Sequence, residues 1–309
     1  MKRTDFLKVS AAAVAAGTLV SPLQASSIFR RDRQESWLKK GYMLETFPDF
    51  RETPVLEIAQ RLHTAGFDGM EPPSGMDRQE VLDAAEASGL EIPSVCCSTH
   101  WTDPLTDPDP DVRRSGLEGV KIALEDAHTY GSRTLLLVPG VVNAKVSYDQ
   151  AWHRSRQQIQ SLIPMAEELG ITIAVENVWN QFLLSPMEAA RYVDSFESPW
   201  VGWYLDLGNI VTYGWPEQWV KILGARIAMI HIKEFSLEKR DEEGLWNGFQ
   251  VNLMEGSNHW EAIMRALREV GYDGYGIAEP AYRTPEMDPD RWLQEMISDR
   301  MDRIFASGS

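Results

Sequence analysis

Gly170-Ile171-Thr172-Ile173-Ala174-Val175-Glu176-Asn177 is the stretch on which the fold turns. A glycine closes a helical segment, a short β-rich apolar run follows, and the run ends on a carboxylate. A left-handed residue is favoured where a helix stops, and glycine takes that conformation without a Cβ penalty. Working outward in both directions, the same grammar recurs. Candidate strands are Gly41–Glu45, Gly69–Pro72, Glu91–Ser98, Thr134–Val138, Thr172–Glu176, Val201–Asp206, Ile227–His231 and Tyr275–Glu279. Amphipathic stretches separate them. Val55, Ile58, Ala59 and Leu62 follow the i, i+3, i+4, i+7 spacing of one helix face, as do Trp260, Ile263, Met264 and Leu267. The turns Gly66-Phe67-Asp68-Gly69 and Gly271-Tyr272-Asp273-Gly274 repeat one device before strands two and eight.

Strands alternating with helices predict a parallel α/β architecture. Eight such units suit a closed (β/α)8 barrel, which needs ~250 residues. No GxGxxG follows the first strand, which argues against a dinucleotide-binding open sheet. The expected fold class is therefore α/β, a single (β/α)8 TIM barrel over residues 38–309, preceded by an export signal.

The chain has 309 residues, with 43% hydrophobic and 25% charged residues, ordinary values for a globular protein. Its formal net charge of −16 excludes nucleic acid as a natural partner, since phosphate-gripping proteins are usually basic. Cys96 and Cys97 are the only cysteines, and successive strand side chains point to opposite faces, so they do not bridge each other. No CxxC-type zinc site is possible.

Residues 1–27 read as a signal peptide. Lys2, Arg3 and Lys8 give a positive start, Val9 to Val20 is a mildly apolar run, and small residues follow to Ala25. A run of that length is too short for a bilayer, which needs ~20 residues. The opening Arg3-Thr4-Asp5-Phe6-Leu7-Lys8 is similar to a twin-arginine (Tat-like) signal with Thr4 in place of the second Arg; a general secretory (Sec) route is the alternative. A polar linker over 28–37 comes next. The expected location is outside the cytoplasm, in the periplasm, with no stable membrane insertion once the signal is removed.

In a barrel, reactive groups collect at the C-terminal ends of strands. Four consecutive strands here end in a metal-type ligand: Glu176, Asp206, His231 and Glu279. Strand parity places Ala174 and Thr172 with Glu176, Tyr204 and Gly202 with Asp206, Met229 and Ile227 with His231, and Ile277 and Tyr275 with Glu279. Each set can fill a barrel interior below a polar rim. Three carboxylates and an imidazole in one place repel and distort each other's titration unless a cation neutralises them. Oxygen-rich ligation with one nitrogen suits one divalent ion, Mn²⁺ first, with Mg²⁺, Co²⁺ or Zn²⁺ as alternatives.

With Glu176-Asn177, Asp206-Leu207-Gly208-Asn209, His231-Ile232-Lys233-Glu234, Glu279-Pro280 and the helix within Asn252 to Gly276 in view, the chain resembles the xylose-isomerase-like superfamily of sugar (phosphate) isomerases and epimerases over roughly residues 40–290. The resemblance implies that Glu176, Asp206, His231 and Glu279 bind the metal. It also implies that Glu176 and Glu279 are the catalytic acid–base pair of a metal-dependent isomerase or epimerase acting on a keto-sugar through an enediolate. Two departures stand out. The 3-epimerases of this group carry a His where this chain has Asn209 and an Arg where it has Leu237. The related apurinic endonucleases need that same His and further His and Asp ligands, which a chain with six histidines and this acidity does not match.

The substrate-binding candidates are His100, Lys233, Asn209, Glu71, Trp179 and Trp101, with Trp246 as a further indole on a predicted rim loop. Lys233 shares the direction of His231 and would polarise a substrate oxygen. Aromatics at the rim would stack on a sugar ring. Two alternatives to the isomerase reading are a lyase or dehydratase of an inosose or 3-keto-glycoside, and a non-catalytic sugar-binding barrel. The expected partner is a small-molecule sugar; oligomerisation is left open.

Overall fold

Eight parallel strands alternate with helices in the computed structural model, which describes residues 36–308. The expected signal peptide (1–27) and residues 28–35 of the expected linker lie outside the described residues. The strands are β1 Leu38–Met43, β2 Gly69–Glu71, β3 Ser94–Cys96, β4 Thr134–Leu137, β5 Thr172–Glu176, β6 Val201–Asp206, β7 Ile227–Ile232 and β8 Gly274–Ala278. Ladders run β2-β1-β8-β7-β6-β5-β4-β3. The ring is completed between β2 and β3 by isolated bridges, Gly69 with Glu91 and Pro73 with Cys96.

That seam explains why the third strand is shorter than the expected Glu91–Ser98. Pro93 has no N–H to give to a ladder, and Pro72 and Pro73 remove two donors from the facing segment. The pairing that survives is Met70 N to Glu91 O at 2.9 Å and Glu91 N to Asp68 O at 3.0 Å at one end, and Cys96 N to Pro72 O at 3.0 Å and Ser74 N to Cys96 O at 2.8 Å at the other. The first strand starts three residues earlier than expected and ends at Met43, because Leu44–Thr46 turns into one 3-10 loop.

Helices form the outer layer. Val55–Thr64 buries Val55, Ile58, Ala59 and Leu62, the face its spacing predicts. Trp260–Glu269 buries Trp260, Ile263, Met264 and Leu267, and Ala266 with them. Gly170 ends the helix Tyr148–Leu169 in the left-handed region at φ 72° and delivers the chain into β5. Beyond β8 the chain closes on Asp299–Ala306. Lys40 leaves β1 to reach this last segment, with Nζ 2.8 Å from Ser298 Oγ and 2.7 Å from Asp302 Oδ1.

Inside the ring, Cys96, Leu136, Ala174, Tyr204, Met229, Tyr275 and Ile277 form one apolar cluster. It contains five of the residues that strand parity placed inward. Cys97 belongs to the separate cluster between strands and helices, so the two thiols do face opposite ways. No helix among the described residues is long and apolar enough to cross a membrane.

Candidate metal centre and cavity

Strand stagger sets the geometry of the rim. Glu176 pairs across with Tyr204, two residues before Asp206, whereas Asp206 is level with His231 and His231 with Ile277. Successive strand ends thus climb around the ring, and their side chains converge from different heights. Glu176, Asp206, His231 and Glu279 each offer a ligand atom, and these atoms all lie within 4.8 Å of one another. His231 Nδ1 is 2.9 Å from Glu176 Oε1 and 3.0 Å from Glu279 Oε2. Asp206 is fully buried, His231 and Glu176 are nearly so, and Glu279 is 18% exposed.

Two atoms of this group, Asp206 Oδ2 and Glu279 Oε2, are buried and make no hydrogen bond of good geometry, their nearest cationic groups being Lys233 Nζ at 3.4 Å and His231 Nδ1 at 3.0 Å. Buried oxygens are seldom left so, since an unmatched one costs ~1–3 kcal/mol. Both could serve a cation as ligand atoms. The donor set fits a divalent ion of the oxygen-preferring kind.

Burial and neighbouring charges perturb all four groups. Burial drives the Asp206 carboxyl well above the usual carboxylate range, with Glu279 and Glu176 adding to it against Lys233. Burial also raises Glu176, against the pull of His231. Glu279 moves the other way: burial opposes ionisation, but Lys233 and His231 hold its carboxyl below the usual range. Burial likewise works against a charged His231, yet Glu279, Glu176 and Glu71 lift its imidazole well above the ordinary value.

Supporting contacts fix this rim. Asn177, next to Glu176, donates from Nδ2 to Asp206 O at 2.8 Å and accepts from Asp206 N and Trp203 Nε1, both at 3.1 Å. Asn209 N donates to Asp206 Oδ1 at 2.8 Å. Lys233 Nζ is 2.7 Å from Glu279 Oε1 and 3.4 Å from Asp206 Oδ2. Glu234 faces the other way and accepts from Met254 N, Asn258 N and Trp260 Nε1, tying the loop 252–260 beneath the rim. Gly208 lets the β6 loop pass Lys233: a Cβ there would meet Lys233 backbone and side-chain carbons at 2.9 Å.

Above the centre lies a cavity of about 620 Å³ lined by the C-terminal strand ends and loops. Of the expected substrate contacts, His100, Lys233, Asn209, Trp179 and Trp101 line it, together with Trp246. Asn209 is tied down, its amide donating to Asn177 O at 3.0 Å and its carbonyl accepting from Trp179 Nε1 at 2.9 Å. Glu71 is placed differently. It is fully buried, is not among the lining residues, and accepts from Tyr204 OH at 2.6 Å and from Ser94 Oγ, with His231 Nε2 at 3.1 Å. An expected substrate contact therefore sits against His231 Nε2, held there by Tyr204 and Ser94. Leu237 is also absent from the lining.

Among the lining residues not singled out in the sequence are Glu45, Phe249 and Gln250. Glu45 carried a signal, a carboxylate ending the first candidate strand. Desolvation in the cavity, with Glu71 and Glu279 nearby, raises its carboxyl. Phe249 and Gln250 lie in the loop after β7, where no periodicity marks direction.

The sequence profile of the xylose isomerase-like TIM barrel family matches residues 59–300. The chain belongs to this family. Among characterised relatives, the L-ribulose-5-phosphate 3-epimerase UlaE of Escherichia coli O1:K1 is 27% identical over 257 residues, covering 82% of this chain and 85% of that protein. The same enzyme of Shigella flexneri serotype 5b matches equally. Among solved structures, the apo 3-keto-D-glucoside 4-epimerase YcjR from E. coli superposes with a TM-score of 0.71 at 18% identity, covering 86% of this chain and 98% of that one. D-psicose 3-epimerase from Clostridium cellulolyticum H10, solved with D-tagatose, gives 0.67 at 17% identity, covering 86% and 95%. These relatives are sugar epimerases, and the solved structures share the barrel.

Proposed function

We propose that this chain is a divalent-metal-dependent isomerase or epimerase acting on a keto-sugar, with Glu176 and Glu279 as its acid–base pair. The observation that supports it most directly is the convergence of these two carboxylates on His231 Nδ1, at 2.9 and 3.0 Å, at the floor of a sugar-sized cavity. The sugar epimerases among its relatives favour the same reading.

Glu176, Asp206, His231 and Glu279 would hold the ion, Mn²⁺ being the first candidate. When bound, it supplies Lewis-acid stabilisation of negative charge on a substrate carbonyl oxygen. The chain does the rest. One carboxylate of the Glu176–Glu279 pair removes the proton from the carbon beside the carbonyl, and the other returns one to the opposite face or to the neighbouring carbon. Lys233, held by Glu279, presents an ammonium to a substrate oxygen. His100 closes a wall of the cavity as a neutral imidazole, since burial pushes it down to about 4.

Solvent-deuterium incorporation tests this. The Mg²⁺-loaded protein is given ketoses, inososes and 3-keto-glycosides and followed by NMR. Exchange at a carbon next to the carbonyl is expected, reduced at least ~100-fold in Glu279→Gln. A metal-loaded protein that exchanges no member of the panel would leave a sugar-binding barrel. A second reading, a lyase, is favoured by the two positions where 3-epimerases grip the sugar: here Asn209 is committed to Asn177, and Leu237 is off the cavity wall. Loss of a β-hydroxyl or glycosyl oxygen after deprotonation would be seen as an unsaturated product. The N-terminal pattern extends the proposal to an exported enzyme, which cell fractionation reads directly.

A further inference from the structure

The cavity is polar at the bottom and aromatic at the mouth. Trp101 follows β3, and Trp246 belongs to the loop after β7, strands that stand opposite each other in a ring of eight. Both indoles line the cavity, yet they are 52% and 68% exposed. Trp246 is not loose: its ring is 4.8 Å from that of Trp179, which is 4.8 Å from Phe249. Trp179 in turn is anchored by its N–H on Asn209 O. One wall of the mouth is thus a braced aromatic surface, and the facing loop carries a second indole with its edge on His100 at 5.5 Å.

We propose that Trp101, Trp179, Trp246 and Phe249 form an outer subsite that stacks a second ring attached to the reacting sugar, so that the substrate is an uncharged keto-glycoside and not a sugar phosphate. In naming a substrate class, this rests on the keto-sugar reading above. Two observations carry it. A cavity of about 620 Å³ is of the size that encloses a drug-sized ligand, whereas one hexose has about twelve non-hydrogen atoms. A single sugar ring on the metal floor leaves the aromatic mouth unused. Exposed, ordered tryptophans flanking a cavity are recognition surfaces, because their faces bind ring C–H groups or π-systems while the N–H stays wet.

Charge decides against phosphate. Among the described residues lining the cavity, Lys233 is the only Lys or Arg, and it stands between Glu279 and Asp206. Glu45, Glu176 and Glu279 line the same space. Phosphate recognition calls for free Arg or Lys donors or a helix N-terminus; the outer lining offers indoles and a glutamine, Gln250.

The test is calorimetric titration of the Mn²⁺-loaded protein with methyl β-D-glucopyranoside, phenyl β-D-glucopyranoside, cellobiose and glucose 6-phosphate. The phenyl glycoside, cellobiose or both are expected to bind about tenfold tighter than the methyl glycoside. Which of them gains tells an aryl from a glycosyl second ring. Glucose 6-phosphate is expected to bind no tighter than the methyl glycoside. Trp246→Ala and Trp101→Ala, at positions more than half exposed, should remove the gain, read as the ratio of each two-ring ligand's affinity to that of the methyl glycoside. Equal affinity for the three neutral glycosides, no binding of any, preference for the phosphate, or a gain that survives both substitutions would overturn the subsite. These ligands carry no ketone, so the result does not depend on proton transfer. A stacking gain without deuterium exchange would sink the catalytic reading and spare the subsite.

Discussion

Glu71 Oε1 lies 3.1 Å from His231 Nε2, while Nδ1 of the same ring faces Glu176 and Glu279. One imidazole is thus clamped between a buried carboxylate below and the candidate ligands above. Tyr204 strengthens the clamp, giving its hydroxyl to Glu71 and setting its ring 4.5 Å from that of His231. A histidine that ligates through Nδ1 must carry its proton on Nε2, and a carboxylate accepting that proton fixes both tautomer and orientation.

Glu71→Gln should therefore weaken metal binding by ~10–100-fold, the usual cost of losing such a partner. Glu71 does not line the cavity, so KM for the sugar at saturating metal should hardly change. A Mn²⁺ titration followed by EPR measures the first quantity and steady-state kinetics the second. An unchanged metal Kd would remove Glu71 from this role.

Metal addition should also stabilise the fold. Asp206 Oδ2 and Glu279 Oε2 are buried with no well-formed hydrogen bond, and the unfolded chain offers no preformed site. Binding to the folded state alone adds about 2.7 kcal/mol at a hundredfold excess over Kd. For a domain of this size, that is a rise in Tm of roughly 5–10 °C. Differential scanning calorimetry of metal-free and Mn²⁺-loaded protein should show it, and Asp206→Asn should abolish most of it. A rise of the same size in the variant would mean that the ion binds elsewhere.

Much of this was legible before any coordinates. The four rim residues and the interior layer came from one rule, period two along strands that end in a polar residue. It works because both faces of a barrel strand are buried, and only its end meets solvent. The rule failed at the start of β7, where an irregular register against β6 puts Ile227 in the outer cluster and Ala228 against the inner one, and again where the chain leaves the strands. β3 is short because Pro93 cannot join a ladder, and Glu71, at a strand end like the rim residues, is turned away from the cavity by its bonds to Tyr204, Ser94 and His231. Phe249 and Gln250 reach the cavity because the loop after β7 folds back on Phe235, a long-range packing choice with no local signature.

Gly208 gives a sharper test of the rim. A methyl group there would press on Lys233 at 2.9 Å, where both backbone and side chain would have to move. Overpacking of this kind costs typically ~1–3 kcal/mol, but the functional effect should be larger. Lys233 is the bridge between Glu279 and Asp206, and a shift of about 1 Å in such a group lowers turnover by about 100-fold. Gly208→Ala should therefore keep a cooperative thermal transition and lose most of its deuterium exchange. Wild-type exchange in the variant would mean that Lys233 tolerates displacement.

His100 makes a prediction about pH. Its ring is 6% exposed and accepts from Val138 N through Nδ1 at 3.4 Å, so it is held neutral. Burial pushes its pKa from 6.5 down to about 4. A base whose folded pKa is depressed binds fewer protons folded than unfolded between those values, so stability rises with pH across that window. The contribution is complete above about pH 6.5 and is lost as pH falls toward 4, to the extent of about 3 kcal/mol. Asn at this position keeps an acceptor for Val138 N and cannot titrate. Urea unfolding of wild type and His100→Asn at pH 7.5 and 4.5 isolates the effect, because every other acidic group is common to both. The wild type should lose more stability than the variant between the two pH values. Equal losses would show that His100 is solvated enough to titrate normally, and that the wall it forms admits water.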